Sequence, residues 1–308
     1  MPETVLIDSL MRTIQVGSMY ALMALGITLT VSVIKLPNFA HAEYITVGAY
    51  AALIASQQFP GNPLLIIVIA GMAGALTALI AHLAVFRALE KQRSSTYTLL
   101  LASFAVGLIL RYLLFILADS TNLFDRRIQV SLQVLLREGS LIITNIFAWV
   151  VPTSLILVLL LSLLINRTPI GREMRAMANN LDLARIIGVR VERVKNWTWI
   201  LVGLLAGASG ALWGIYSSVS PLMGWFAILS VFAAAILGGM SSFVGTILGA
   251  YLVAFSENTV MQFLNFQLGI DFSFKPAIPF VLIILVLLFR PQGLTGLFDF
   301  IRRGDLRR

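Results

Sequence analysis

Two carboxylates, Glu43 and Glu257, and one imidazole, His41, stand inside stretches otherwise built from aliphatic and small residues. Ionisable groups are costly in hydrocarbon, and where they persist they line interiors, pair with one another, or mark the route of a proton, ion or charged solute. His41 and Glu43 belong to the run Leu36-Pro37-Asn38-Phe39-Ala40-His41-Ala42-Glu43. Pro37 disfavours helix at Leu36, and Asn38 is a good N-cap for a helix running from Phe39. Asn38, His41 and Glu43 thus gather at a helix N-terminus beside the membrane. The positive end of a helix favours anionic groups such as a substrate carboxylate. Glu43 could instead neutralise that helix end, pair with Lys35, or sit hydrated with His41 at the interface.

A second group of residues interrupts the apolar pattern near the end of the chain, at Leu237-Gly238-Gly239-Met240-Ser241-Ser242-Phe243-Val244-Gly245. Glycines here can break a helix and expose backbone groups, which the membrane tolerates only where protein or a wet cavity satisfies them. Ser241 and Ser242 either line such a path or cap the following helix. Gly203, Gly207, Gly210 and Gly214 form two GxxxG pairs, and small residues at that spacing let helices approach closely in lipid. Gly48-Ala49-Tyr50 and Gly249-Ala250-Tyr251 are a short echo that a duplicated half would leave.

The segment Thr168 to Gly188 is polar and lies between two apolar runs. From Arg172 to Ile187 it has helical periodicity, with Met174, Met177, Ala178, Leu181 and Ala184 on a narrow stripe. Arg172, Arg175, Asn179, Asp182 and Arg185 take the other face, and Gly188 stands where a helix C-cap prefers glycine. A small-residue amphipathic helix of this kind suits docking against another protein surface, or lying on anionic lipid.

These residues need elements that hold them. The chain has 308 residues, of which 59% are hydrophobic and 12% charged. A soluble domain of this length carries about a quarter charged residues, so most of this surface faces lipid. About 20 apolar residues cross the hydrocarbon. The stretches 10–34, 63–86, 97–117, 143–165, 197–217 and 243–264 qualify, 276–290 is shorter but almost purely aliphatic, and 39–57 and 225–240 read as tilted, broken or re-entrant. Eight or nine membrane helices in one all-α polytopic domain over 1–308 follow. The net charge of +8 does not mark a nucleic-acid groove: 15 of the 22 Lys and Arg residues fall in 87–95, 166–195 and 290–308. That asymmetry puts these three stretches in the cytoplasm and 118–142 and 266–275 outside. The N-terminal side depends on whether 39–57 crosses fully. In the external stretch, Val130, Leu132, Val134 and Leu136 alternate with other residues, so a short strand or a surface helix is expected. Acidic Glu3 and Asp8 precede the first span without a basic region, so that span is expected to be retained.

Several chemistries are excluded. There is no cysteine, hence no disulfide or thiolate metal site, and two histidines leave little for a metal centre. The dipeptide Gly-Lys is absent, so there is no P-loop, and neither a zinc-protease motif nor a Gly-x-Ser-x-Gly elbow occurs. If ATP drives this protein, the ATPase is another chain.

Three separated signatures resemble those of branched-chain amino acid ABC transporter permeases, and the resemblance spans about residues 10–295. Asn38-Phe39-Ala40-His41-Ala42-Glu43 is similar to the family's Asn-Phe-Ala-His-Gly-Glu, with Ala42 for glycine. Leu237 to Ser242 is similar to Leu-Gly-Gly-x-Gly-Ser, with Ser241 for glycine. Gly171, Arg172, Arg175, Ala176, Ala178, Asn180, Ala184 and Gly188 resemble the loop that forms the family's coupling helix. Lys275-Pro276 through Arg290-Pro291-Gln292-Gly293-Leu294 resembles its closing span. The resemblance implies a multi-pass subunit in the plasma (inner) membrane of a prokaryote, with a second permease subunit, two ATP-binding cassette ATPases carrying ATP and magnesium, and an external solute-binding protein. It implies a substrate pathway near Asn38, His41, Glu43, Gly238, Gly239, Ser241 and Ser242, for branched-chain or related amino acids. No cofactor is expected in this chain. The competing reading from the residues alone is a stand-alone carrier or channel using Glu43 and Glu257. A membrane enzyme has no recognisable nucleophile–base pair here.

Overall fold

The computed structural model describes residues 3–128, 133–138, 141–290 and 293–294. In chain order the helices are α1 (Glu3–Leu29), α2 (His41–Gln58), α3 (Pro63–Ala81), α4 (Arg87–Lys91), α5 (Thr96–Thr121), α6 (Asn145–Arg167), α7 (Pro169–Asn179), α8 (Leu181–Ile186), α9 (Val191–Tyr216), α10 (Met223–Gly238), α11 (Phe243–Phe255), α12 (Met261–Leu268) and α13 (Ala277–Phe289). Short π-helical turns follow α1 (Thr30–Ile34), α3 (His82–Phe86) and α11 (Ser256–Val260). Among the described residues, six spans are long and apolar enough to cross a bilayer: Thr4–Ile34, Pro63–Lys91, Thr96–Thr121, Asn145–Arg167, Val191–Tyr216 and Phe243–Leu268. With α2 and the shorter apolar α10 and α13, the polytopic all-α architecture read from the sequence holds. The stretch expected outside adopts the strand alternative, an antiparallel hairpin of β1 (Val134–Glu138) and β2 (Leu141–Thr144). Val130, Ser131 and Leu132 of that stretch, and Pro291 and Gln292 near the end, lie outside the described residues.

Helix starts follow local chemistry. Ser95 accepts a hydrogen bond from the Thr98 amide at α5, Asn62 from Leu65 ahead of Pro63 at α3, and Ser242 from Gly245 at α11. Each satisfies an amide that the helix cannot. Two starts differ from expectation. Helix α2 begins at His41, and Asn38 serves a turn before it, its Oδ1 accepting from the Ala40 amide at 3.1 Å. Helix α9 begins at Val191, well before the apolar run at 197, because its polar first turn is paired: Lys195 reaches Glu90 at 2.7 Å and Arg87 reaches Glu192 at 2.8 Å.

The residues divide into two compact units. In the first (Met1–Thr28, Leu132–Pro152, Leu229–Arg308), α1 lies antiparallel to α11 and the turn after it. A ladder of polar contacts joins them: Thr13 to Thr259 (3.0 Å), Ser18 to Tyr251 (2.9 Å), Tyr20 to Glu257 (2.9 Å) and Thr28 to Thr246 (2.7 Å). Hydroxyls paired this way need no water, which is why they are tolerated inside spans.

In the second unit (Leu29–Ser131, Thr153–Ile228), α2, α3 and α9 meet through glycine. A Cβ on Gly203 would overlap the Gly74 carbonyl, on Gly207 the Ala70 carbonyl, and on Gly210 the Ile45 carbonyl. Gly48 of the short sequence echo meets Gly207, while Gly249 of its counterpart packs on the Ala234 carbonyl. The GxxxG spacing therefore marks backbone-to-backbone contact. At Gly207→Ala the new methyl meets the α3 backbone at Ala70 and Gly71 and cannot be accommodated by a rotamer change, so a loss of about 1–3 kcal/mol is expected. Gly71→Ala, whose Cβ would have ordinary contacts beginning at 3.4 Å, serves as control. Thermal unfolding in detergent should drop for the first variant and stay near wild type for the second; equal midpoints would refute the close-contact account.

Candidate functional site

The carboxylate singled out in the sequence is fully buried and paired. Glu43 lies in the first turn of α2, and its Oε1 accepts hydrogen bonds from Arg111 Nε at 2.9 Å and Nη2 at 2.7 Å. Oε2 lies beside Thr46 and accepts no hydrogen bond in normal geometry. Arg111 is the sixteenth of 26 residues in α5. It lies about 22 Å along that helix and so deep in the span. The Arg111 guanidinium carbon sits 4.2 Å over the ring of Trp225, near the start of α10. Phe104 meets Trp225 edge-on at 6.0 Å, and Phe39 meets Phe104 at 6.4 Å. The Phe39 amide donates to Ser103 of α5, which sets the start of α2 beside the second turn of α5. Helix α10 begins against the same place, because Gly224 donates to Thr46 and its Cα faces the Ala42 carbonyl.

Of the alternatives open for Glu43, the pairing with Lys35 does not occur. Lys35 has a left-handed backbone, φ 62°, and its ammonium donates to the Ala178 carbonyl at 2.7 Å. The residues missed were Arg111 and Trp225. A signal for Arg111 was present: it is the one charge within 97–117. Breaking a buried pair of this kind by removing one partner costs about 3–5 kcal/mol, because the remaining charge is stranded. His41 is buried, edge-on to Tyr44 at 6.3 Å. The other histidine, His82, lies in the π turn after α3 and stacks on Trp199 at 5.5 Å.

The glycine-rich segment makes a tight reversal between α10 and α11. Gly238 and Gly245 pack backbone to backbone, and Gly239 has φ 94°. Ser242 takes the capping alternative, while exposed Ser241 donates to the Gly239 carbonyl. Leu294 donates to the Leu237 carbonyl at 2.8 Å, and Gly293 abuts Gly239. The closing signature is thus docked on the Leu-Gly-Gly signature.

The polar loop departs from a continuous helix over Arg172–Ile187. It is broken at Asn180, φ −155° and ψ 110°, whose side chain caps α8 by accepting from the Leu183 amide. Thr168 caps α7 ahead of Pro169, and Gly188 has φ 86° after α8 as its type suggested. Helix α7 rests against the π turn after α1 and against α9. Gly171 presses on the Leu164 and Ile165 carbonyls, and Arg175 donates to the Ile165 carbonyl. The apolar stripe turns inward: Met174, Met177 and Ala184 are buried, with Ala176 and Ala178 half-buried. The outward face carries Arg172, Arg175, Asn180 and Arg185, with Leu183, Ile186 and Ile187 exposed by 55%, 80% and 67%.

Glu257 is buried in the π turn after α11 and accepts hydrogen bonds from Tyr20 at 2.9 Å and Ser230 at 2.5 Å. Lys275, ahead of α13, donates to Asn258 at 3.0 Å; partial burial holds its ammonium below the usual lysine range, a shift that the Glu257 carboxylate opposes. Replacing Glu257 by leucine would strand two buried hydroxyls, a cost of about 1–3 kcal/mol. Adding Tyr20→Phe to that variant should recover part of the lost detergent melting temperature, since the stranded group is gone. Strictly additive losses would show that the hydroxyls are satisfied elsewhere.

Comparison with known proteins places this geometry. Residues 9–288 match the family described as branched-chain amino acid transport system / permease component. The probable branched-chain amino acid transport permease protein LivH of Methanocaldococcus jannaschii is 32% identical over 282 residues, covering 91% of this chain and 89% of that protein. The high-affinity branched-chain amino acid transport system permease proteins LivH of Escherichia coli K12 and BraD of Pseudomonas aeruginosa are 26% and 27% identical, each covering 94% of this chain and 95% of theirs. With its paired intramembrane charges, its capped polar loop and a family match over nearly its whole length, the chain belongs to the permease-component family of branched-chain amino acid transport systems.

Proposed function

We propose that the chain is the membrane-spanning subunit of an ABC importer that moves branched-chain or related amino acids into a prokaryotic cell. It works with a second permease subunit, two ATPases that bind ATP and magnesium, and an external solute-binding protein. The observation that carries the reading is the family match over residues 9–288, which includes the polar α7–α8 loop. Positive-inside asymmetry places that loop in the cytoplasm. The bond from Lys35 to Ala178 supports the start of α2 lying on the same side. Helix α2, 18 residues long, crosses from there beside α5, and the first span begins outside.

The α7–α8 pair is suited to transmit force. Its inner stripe is tied to the permease through Met174 and Met177, and bonds from Arg175 to Ile165 and from Lys35 to Ala178 add to the hold. Its outer face offers exposed Leu183, Ile186 and Ile187 together with exposed Arg172, Arg175 and Arg185, the composition of an interface with an apolar centre and a polar rim. A closing ATPase that grips this face moves the ends of α6, α9 and the first span with it. The carrier reading is weaker on the same geometry, because Glu43 is held by Arg111 and Glu257 already accepts two hydrogen bonds.

Substituting Ile186 and Ile187 together by aspartate should leave membrane insertion and melting temperature near wild type and abolish co-purification of the ATPases. Ala184→Leu, at a buried position, should lower the melting temperature instead. Undiminished ATPase association in the aspartate variant would refute docking through α8.

A further inference from the structure

We propose that Arg111, braced by Glu43 and Trp225, receives the carboxylate of the amino-acid substrate midway through the membrane, with Phe104 and Phe39 receiving its apolar side chain. The inference rests on the reading of the chain as an amino-acid permease subunit. To the pathway expected near Glu43 it adds Arg111, Trp225 and Phe104, which no motif of the family resemblance contains.

The first argument is the position of the cation. The Arg111 side chain is 11% exposed deep within α5, and its unbonded Nη1 is not fully enclosed, so part of its guanidinium opens off this chain. An arginine edge turned to hydrocarbon is too costly to persist, so that edge faces protein or a wet path. Nε and Nη2 are used on Glu43, whereas Nη1 makes no hydrogen bond with the described residues. One N–H of Nη1 and the second N–H of Nη2 remain, parallel and in one plane, the geometry that suits a carboxylate.

The second argument is charge balance. Fully buried Glu43 cancels Arg111, so the empty station carries no net charge. An amino acid is a zwitterion and also brings none. The occupied and empty states thus have equal net charge.

The third argument is the wall beside the cation. Trp225 is half-buried and holds the guanidinium in place from one face at 4.2 Å. Phe104, 40% exposed, continues the apolar surface 6.0 Å from Trp225, and half-buried Phe39 follows. A cation at the edge of an aromatic wall is complementary to a molecule with a carboxylate at one end and a branched aliphatic group at the other.

The test uses the full transporter in proteoliposomes, with ATP inside the compartment that holds the ATPases, and radiolabelled leucine and alanine as probes. The paired variant Glu43→Gln with Arg111→Met removes both charges together, so no buried ion is left behind. We expect it to assemble and to hydrolyse ATP in response to the binding protein, while leucine uptake falls by about a hundredfold or more. Phe104→Ala should shift the leucine-to-alanine uptake ratio by about tenfold towards alanine. Uptake within twofold of wild type in the paired variant would overturn the proposal and leave the ion pair a structural brace. If the paired variant fails to assemble, Phe104→Ala decides: an unchanged leucine-to-alanine ratio overturns the proposal. A wild-type transporter that takes up neither amino acid with ATP would refute the functional reading itself, a result distinct from both.

Discussion

Hydrocarbon offers polar groups no solvent, and the interior of this protein is arranged around that single constraint. The ion pair between Glu43 and Arg111 is its strongest expression. Each charge alone would be expelled or neutralised; together, at 2.7 Å, they anchor the start of α2 to the middle of α5. Trp225 adds α10 to the same point through the face of its ring. In the other unit the constraint is met without formal charge pairing. Glu257 is held by two hydroxyls, and threonine, serine and tyrosine pairs run down the contact between α1 and α11.

Packing completes what pairing begins. Lipid tails are as apolar as leucine, so helices gain little by hiding leucine from them. Association rests on close approach, and glycine supplies it where α3 and α2 press on α9. The outward faces are ordinary for a bilayer: Leu64, Val68, Met72, Leu76 and Ile80 recur every fourth residue along α3 and are all exposed. The division between small inward residues and large aliphatic outward ones inverts the pattern of a soluble bundle.

Much of this was legible in the sequence, for identifiable reasons. Span positions follow from composition, since a run such as 143–165 has no other stable environment. The tight glycine contacts, the Ser242 cap and the positive φ of Gly188 follow from residue type and spacing. What was not legible depended on partners distant in sequence. Glu43 and Arg111 are 68 residues apart, and nothing local to either names the other. Periodicity identified the stripe of Met174, Met177 and Ala184 but not what it packs on, and that stripe faces the permease itself. Asn180 was read as part of a helical run, yet asparagine is as good a cap as a helix residue is poor, and it splits the run in two.

These features describe a permease subunit that pairs its buried charges and carries exposed Leu183, Ile186 and Ile187 on its polar loop. The central claim is that an external nucleotide-driven motor powers movement through this chain. The most direct measurement compares leucine uptake into proteoliposomes holding the permease subunits alone with uptake into those that also hold the ATPases, each with and without ATP. The account predicts accumulation only when ATPases and ATP are both present. Rapid uptake by the permease subunits alone, with or without a gradient of protons or sodium, would contradict it.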